Sequence, residues 1–112
     1  DPDVTYDNLN AIVGRLTSEG LPVLLAGMQA PPNLGREYGD RFFGAYLRLA
    51  EEYDIVFYPF LLDGVAGDPT LNQDDRIHPN PDGVNVMVEK IFPFAERLVQ
   101  RVKEARTRDT AS

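Results

Sequence analysis

A chain of 112 residues has room for one domain at most, and a hydrophobic content of 43% belongs to a globular sequence rather than a disordered one. A formal net charge of -7 argues against a nucleic-acid ligand, whose phosphates call for a basic face, and no apolar run is long enough to span a bilayer. The sequence has no cysteine, which excludes disulfides, a thiol nucleophile and thiolate-bound metal without fixing a compartment. No signal peptide is visible, and the chain opens on Asp1-Pro2-Asp3 without a methionine, as a processed or partial product does.

Thr5 or Asp7 can cap a first helix in which Leu9, Ile12, Val13 and Leu16 share one face, ending at Gly20. Leu21 to Met28 is a continuous apolar run, the pattern of a strand covered on both faces in a parallel sheet. The loop Gln29 to Gly35 follows, at the end of a strand where open α/β sheets build their sites. Tyr38 to Tyr53 carries Phe42, Phe43, Tyr46, Leu49, Ala50 and Tyr53 at helical spacing, aromatics that read as core. Ile55 to Phe60 predicts a second buried strand, stopped by Pro59, and the loop Leu62 to Gln73 is long for a plain connection. A final helix places Val84, Val88, Ile91, Ala95, Leu98 and Val102 on one stripe, with Pro93 inside it as a kink. The apolar pattern fades after Arg101, so residues 1–102 form the structured portion and Lys103 to Ser112 reads as a frayed tail.

Between the long loop and the last helix lies Asp74-Asp75-Arg76-Ile77-His78-Pro79-Asn80-Pro81-Asp82-Gly83, with the only histidine of the chain. Imidazole can take and give a proton near neutral pH, and a carboxylate three residues upstream can orient its ring. Asp75 holds that position, and Pro79 and Pro81 stiffen the backbone around His78. Asn80 followed by Pro81 has the form of an N-cap and first helical residue.

The wording Asp75-x-x-His78-Pro79-Asn80-x-x-Gly83 before a long amphipathic helix resembles the last conserved block of the SGNH (GDSL-type) hydrolases. It is especially similar to the bacterial thioesterase I, lysophospholipase and arylesterase branch. The resemblance extends upstream through Leu21 to Met28, Pro32-Asn33-Leu34-Gly35, the helix with Phe42, Tyr46, Leu49 and Ala50, and Val56 to Phe60, nearly the whole chain up to about residue 102. It implies a three-layer α/β/α, flavodoxin-like parallel sheet of which only the C-terminal strands and helices are present. It also implies a serine esterase or thioesterase acting on acyl esters without a cofactor, with His78 as general base, Asp75 as its orienting carboxylate and a periplasmic or secreted setting as one option.

Two strands are too few for an independent parallel sheet, so further strands are expected from an N-terminal segment or another chain. The chemistry has the same gap. Ser18 and Ser112 are the only serines, neither in a nucleophile block, and the family's nucleophile and oxyanion blocks would lie upstream of Asp1. The isolated chain is therefore expected to be inactive. Asp74 is the rival orienter of His78, and a metal site of His78 with Asp68, Asp74, Asp75 or Asp82 is the rival chemistry, which one imidazole and no thiolate suit poorly. A noncatalytic α/β binding module is the third reading.

Overall fold

The computed structural model describes residues 1–111 of the chain, and the side chains of residues 1–108. Helix α1 (Pro2–Ser18) leads into strand β1 (Leu24–Ala26), a 3-10 turn over Pro32–Leu34, helix α2 (Arg36–Glu52), strand β2 (Val56–Tyr58) and helix α3 (Pro81–Ala111).

Helix α1 starts earlier than either expected cap, because Asp1-Pro2 already supplies the signature of a helix start. The Asp1 carboxylate accepts from the Asp3 amide at 2.8 Å, and Pro2 fills a first-turn position where no amide is needed. At the other end, Gly20 takes φ 79° and donates to the Thr17 carbonyl, closing the helix where the sequence places its end.

The strands are parallel, with Leu24 paired to Val56, Leu25 to Phe57 and Ala26 to Tyr58. Both are shorter than the apolar runs that contain them, since Pro22 and Pro59 lack the amide a ladder needs. Single bonds carry the pairing on at each end, from Val56 N–H to the Val23 carbonyl at 3.0 Å and from Gly27 N–H to the Tyr58 carbonyl at 2.7 Å. At Gly27 the two chains come so close that a Cβ would stand 2.2 Å from the Pro59 carbonyl oxygen.

Alternation along the strands assigns the layers. Leu25 joins Val13, Leu49 and Ile55 in the core, with Phe57 packed against them, so this face carries α1 and α2. The next residue, Tyr58, turns to the other face and meets Phe94 of α3 with ring centroids 4.8 Å apart. The architecture is α/β/α, built on a two-stranded sheet.

That sheet leaves much of the molecule uncovered. The body measures 53 × 32 × 16 Å with a radius of gyration of 16.2 Å, against about 13 Å for a compact domain of this length. Its accessible surface is 7706 Å², where a folded monomer of this mass exposes about 6,200 Å². Part of the excess is apolar. Of the stripe expected on α3, Ile91, Ala95, Leu98 and Val102 are half-buried, whereas Val84 and Val88 are open. Phe92 and Val99, adjacent on the same side, are also open at 57% and 52% exposure, and Ile12 of α1 is open at 56%.

Helix α3 runs past Lys103 through Ala111, and only Ser112 lies outside the described residues. The apolar stripe does end at Val102, but Lys103, Glu104, Ala105 and Arg106 are strong helix formers and continue the spiral without it. Pro93 lies inside α3 without ending it.

Candidate active site

The stretch before α3 is organised by bonds that span its whole length. Asn80 caps the helix, its side-chain oxygen accepting from the Gly83 amide at 2.9 Å, and its carbonyl accepts the first helical bond from Val84. The Asn80 side-chain amide donates to the carbonyls of Thr70 at 2.9 Å and Asn72 at 3.3 Å, tying the helix start to the long loop. Gly83 sits so close to that loop that a Cβ would be 2.1 Å from the Leu71 carbonyl oxygen.

The loop itself is held from inside. Val65 is fully buried, and the Asn72 side-chain amide donates to the carbonyls of Val65 and Asp68, both at 2.8 Å. Asp68 accepts from the Thr70 hydroxyl and amide, which lowers its pKa. Asn72 and Pro79 then form an antiparallel bridge, and Gln73 N–H donates to the His78 carbonyl at 2.8 Å. Residues 74 to 77 are the turn of this small hairpin.

Within the turn, Asp75 makes three contacts. One carboxylate oxygen accepts from the amides of Ile77 at 2.9 Å and His78 at 3.1 Å, and the other lies 2.6 Å from His78 Nδ1. The bond to the imidazole, followed by the two amide bonds, brings the Asp75 pKa down to about 2. Arg76 makes the reversal possible with φ 62°, in the left-handed region. The His78 side chain is 70% exposed, and its Nδ1 is held by the carboxylate.

The structure thus brings Asp75 and His78 together. Asp74 stays exposed and makes no side-chain hydrogen bond or ion pair among the described residues. Nor do the acidic residues of the rival metal reading converge, for among the described residues no three carboxylate or imidazole groups are placed to hold a metal ion. Ser18 is at the end of α1, its hydroxyl donating to the Arg15 carbonyl, and Ser112 lies outside the described residues.

The loops that follow β1 and β2 face each other across a groove of about 480 Å³, with Pro31 and Pro32 on one side, Leu62 and Ala66 on the other and Ile77 at the histidine hairpin. Sequence reasoning singled out both loops. It gave no role to Arg76, Ile77 or Gly83, although all three stand in the stretch it read most closely.

No model of a known protein family matches the chain. Individual proteins do. An arylesterase of Vibrio mimicus is 31% identical over 101 residues, covering 90% of this chain and 49% of the relative. The thioesterase 1/protease 1/lysophospholipase L1 of Escherichia coli (strain K12) is 36% identical over 81 residues, 72% of this chain and 39% of the relative. Among solved structures, AlinE4, an SGNH-hydrolase family esterase, shares 40% identity at a TM-score of 0.64 over 87% of this chain and 51% of that one. The crystal structure of TesA superposes at a TM-score of 0.81 with 33% identity, over 88% of this chain and 54% of that one.

This chain is a homologue of the SGNH hydrolases, with part of their fold. It spans about half the length of the relatives it matches. Their names are those of ester and thioester hydrolases, as the resemblance at Asp75-x-x-His78 implies.

Proposed function

We propose that this chain is the C-terminal part of a carboxylic ester hydrolase, in which His78 is the general base and Asp75 the residue that orients it. The observation that carries this reading is the 2.6 Å contact between Asp75 Oδ2 and His78 Nδ1. A carboxylate fixed by two backbone amides sets the ring tautomer with its proton on Nδ1, leaves Nε2 free to accept a proton, and stabilises the imidazolium that results. Nε2 then takes the proton of a serine hydroxyl as its oxygen attacks the substrate carbonyl, and gives that proton to the departing alcohol or thiol. A water molecule, activated by the same nitrogen, releases the acyl group. The groove between the two loops borders the reacting carbonyl and receives part of an acyl ester or thioester. No cofactor enters these steps.

In this reading the serine and the oxyanion donors come from an N-terminal SGNH segment, on the same polypeptide or another, that also completes the sheet. The open arc of Val84, Val88, Phe92 and Val99 supports it, as does the hydroxyl of Tyr58, buried with no hydrogen-bond partner among the described residues. A buried hydroxyl left alone costs about 1–3 kcal/mol, which an acceptor on an added element removes.

The test joins the chain to the N-terminal half of a relative, as a fusion or as two polypeptides, and follows hydrolysis of p-nitrophenyl butyrate. Activity is expected from the pair, resistant to EDTA and blocked by an organophosphate that labels the N-terminal half. His78→Ala is expected to lower kcat by about 10³-fold or more, the scale of losing a triad member. Near-normal turnover by His78→Ala, or loss of activity in EDTA restored by a divalent ion, would sink the mechanism.

A further inference from the structure

Arg76 stands out on three counts. Its backbone is in the left-handed region at φ 62°, where glycine is at ease and other residues are disfavoured. The turn requires that conformation, because it aims the amides of Ile77 and His78 at the Asp75 carboxylate. Glycine would meet the requirement without strain, so the backbone alone does not account for an arginine.

Its side chain is also unengaged. Arg15, Arg36, Arg41, Arg48 and Arg101 each sit on a carboxylate. Arg76 has acidic neighbours at Asp74 and Asp75 in a chain of net charge -7, yet it makes no side-chain hydrogen bond or ion pair among the described residues. Finally, it lines the groove between the two loops together with Pro31, Phe60, Leu62, Ala66 and Ile77, and among the described residues no other charged residue lines that groove. The result is a single cation on an otherwise largely apolar surface, two residues from the proposed base.

We propose that Arg76 is a specificity-determining residue that favours ester or thioester substrates carrying an oxyanion, a carboxylate or a phosphate, near the scissile bond. A guanidinium offers such a group two parallel N–H donors, a geometry that neither an ammonium nor an amide reproduces. The proposal rests on the esterase reading above.

Two substrate pairs, given to the enzyme completed with its N-terminal half, test it and locate the charge. The first pair compares p-nitrophenyl hydrogen glutarate with p-nitrophenyl butyrate, which places a carboxylate on the acyl side. The second compares the butyryl thioester of 3-mercaptopropionate with that of N-acetylcysteamine, which places a carboxylate on the leaving group close to the scissile bond. Arg76→Gln is expected to lower the anionic-to-neutral ratio of kcat/KM about tenfold in one pair, the scale of one charge-assisted hydrogen bond, with Arg76→Lys in between. Added salt is expected to erode the ratio in the parent enzyme and not in Arg76→Gln. Arg76→Gly, which suits the backbone at φ 62°, provides a charge-free variant that keeps the turn.

Ratios unchanged in both pairs would overturn the proposal, as would equal losses on anionic and neutral substrates, which would make Arg76 a residue that merely shapes the turn. If the completed enzyme hydrolysed none of the four substrates, the esterase reading itself would fall, a result distinct from either of these.

Discussion

The side-chain amide of Asn80 donates to the carbonyl of Thr70 at 2.9 Å, across ten residues of chain, while the oxygen of the same side chain caps α3 at the Gly83 amide. One residue therefore fixes both the start of the helix and the base of the hairpin that carries Asp75 and His78. Replacing it with alanine removes a helix cap and leaves two loop carbonyls without their donor.

Asn80→Ala is expected to destabilise the completed enzyme by about 1–3 kcal/mol, the combined scale of a cap and a lost hydrogen bond. Urea unfolding followed by circular dichroism measures it. Activity is expected to fall further than stability alone requires, because the hairpin loses its anchor.

Gly83→Ala forces a Cβ to within 2.1 Å of the Leu71 carbonyl oxygen, and Gly27→Ala to within 2.2 Å of that of Pro59. Both obstacles are backbone, so neither is relieved by a side-chain rotation. Each substitution is expected to cost about 2 kcal/mol or more. Thermal melts of the two variants compared with Gly39→Ala, where nothing lies within 4 Å of the added carbon, provide the check.

The Asp75 carboxylate titrates at about 2, below its ordinary 3.8, with the imidazole contact as the largest cause. A depressed value means that its contribution to the folded hairpin is fully present above about pH 4 and disappears as pH falls through 2. Carboxyl-carbon NMR of Asp75 is expected to show a midpoint near 2 in the parent protein. In His78→Ala the midpoint is expected to rise toward 3.8, and an unmoved midpoint would mean that the ring is not the main partner.

Asp75→Asn keeps an oxygen for the two amides but cannot accept the imidazole proton with the same charge. In the completed enzyme, kcat is expected to drop by about 10²–10⁴-fold with KM little changed, as befits a residue that orients the base. Asp74→Asn, at an exposed side chain with no hydrogen bond or ion pair among the described residues, provides the comparison. Equal losses in the two variants would undo the assignment of Asp75.

Phe92→Asp places a charge in the open arc of α3. Association with a separately added N-terminal half is expected to weaken at least tenfold, read by analytical ultracentrifugation, while the helix content of the chain alone stays the same. Unaltered association would show that this face is not where the segment docks.

Local chemistry was the legible part of this chain. Asn80 before Pro81 reads as a helix start because capping needs only neighbouring residues, and Asp75 with His78 stands out because three residues set their spacing. The start of α1 was misplaced because Asp1, Thr5 and Asp7 all have the chemistry of a cap, and only the structure shows which amide is received. The bond from Asn80 to Thr70 depends on the path of the loop between them, which no pattern encodes. The left-handed turn at Arg76 went unseen for a similar reason, since neither glycine nor asparagine marks it. Val84 and Val88 were grouped on one stripe with Ile91, Ala95, Leu98 and Val102, yet only the latter four are half-buried, because periodicity tells which residues share a face and not whether anything covers it.

Among the described residues the two strands pair only with each other, so each keeps one edge with no strand beside it. This has a kinetic consequence. A segment tethered on the same polypeptide would meet such an edge at an effective concentration of about millimolar, so completion of the sheet becomes a unimolecular event that dilution does not slow. Supplied separately at micromolar levels, the same segment arrives about a thousandfold less often, and its half-time lengthens with every dilution. During that wait the edges of two copies can find each other, and the yield of finished enzyme becomes a race between heterologous pairing and self-pairing.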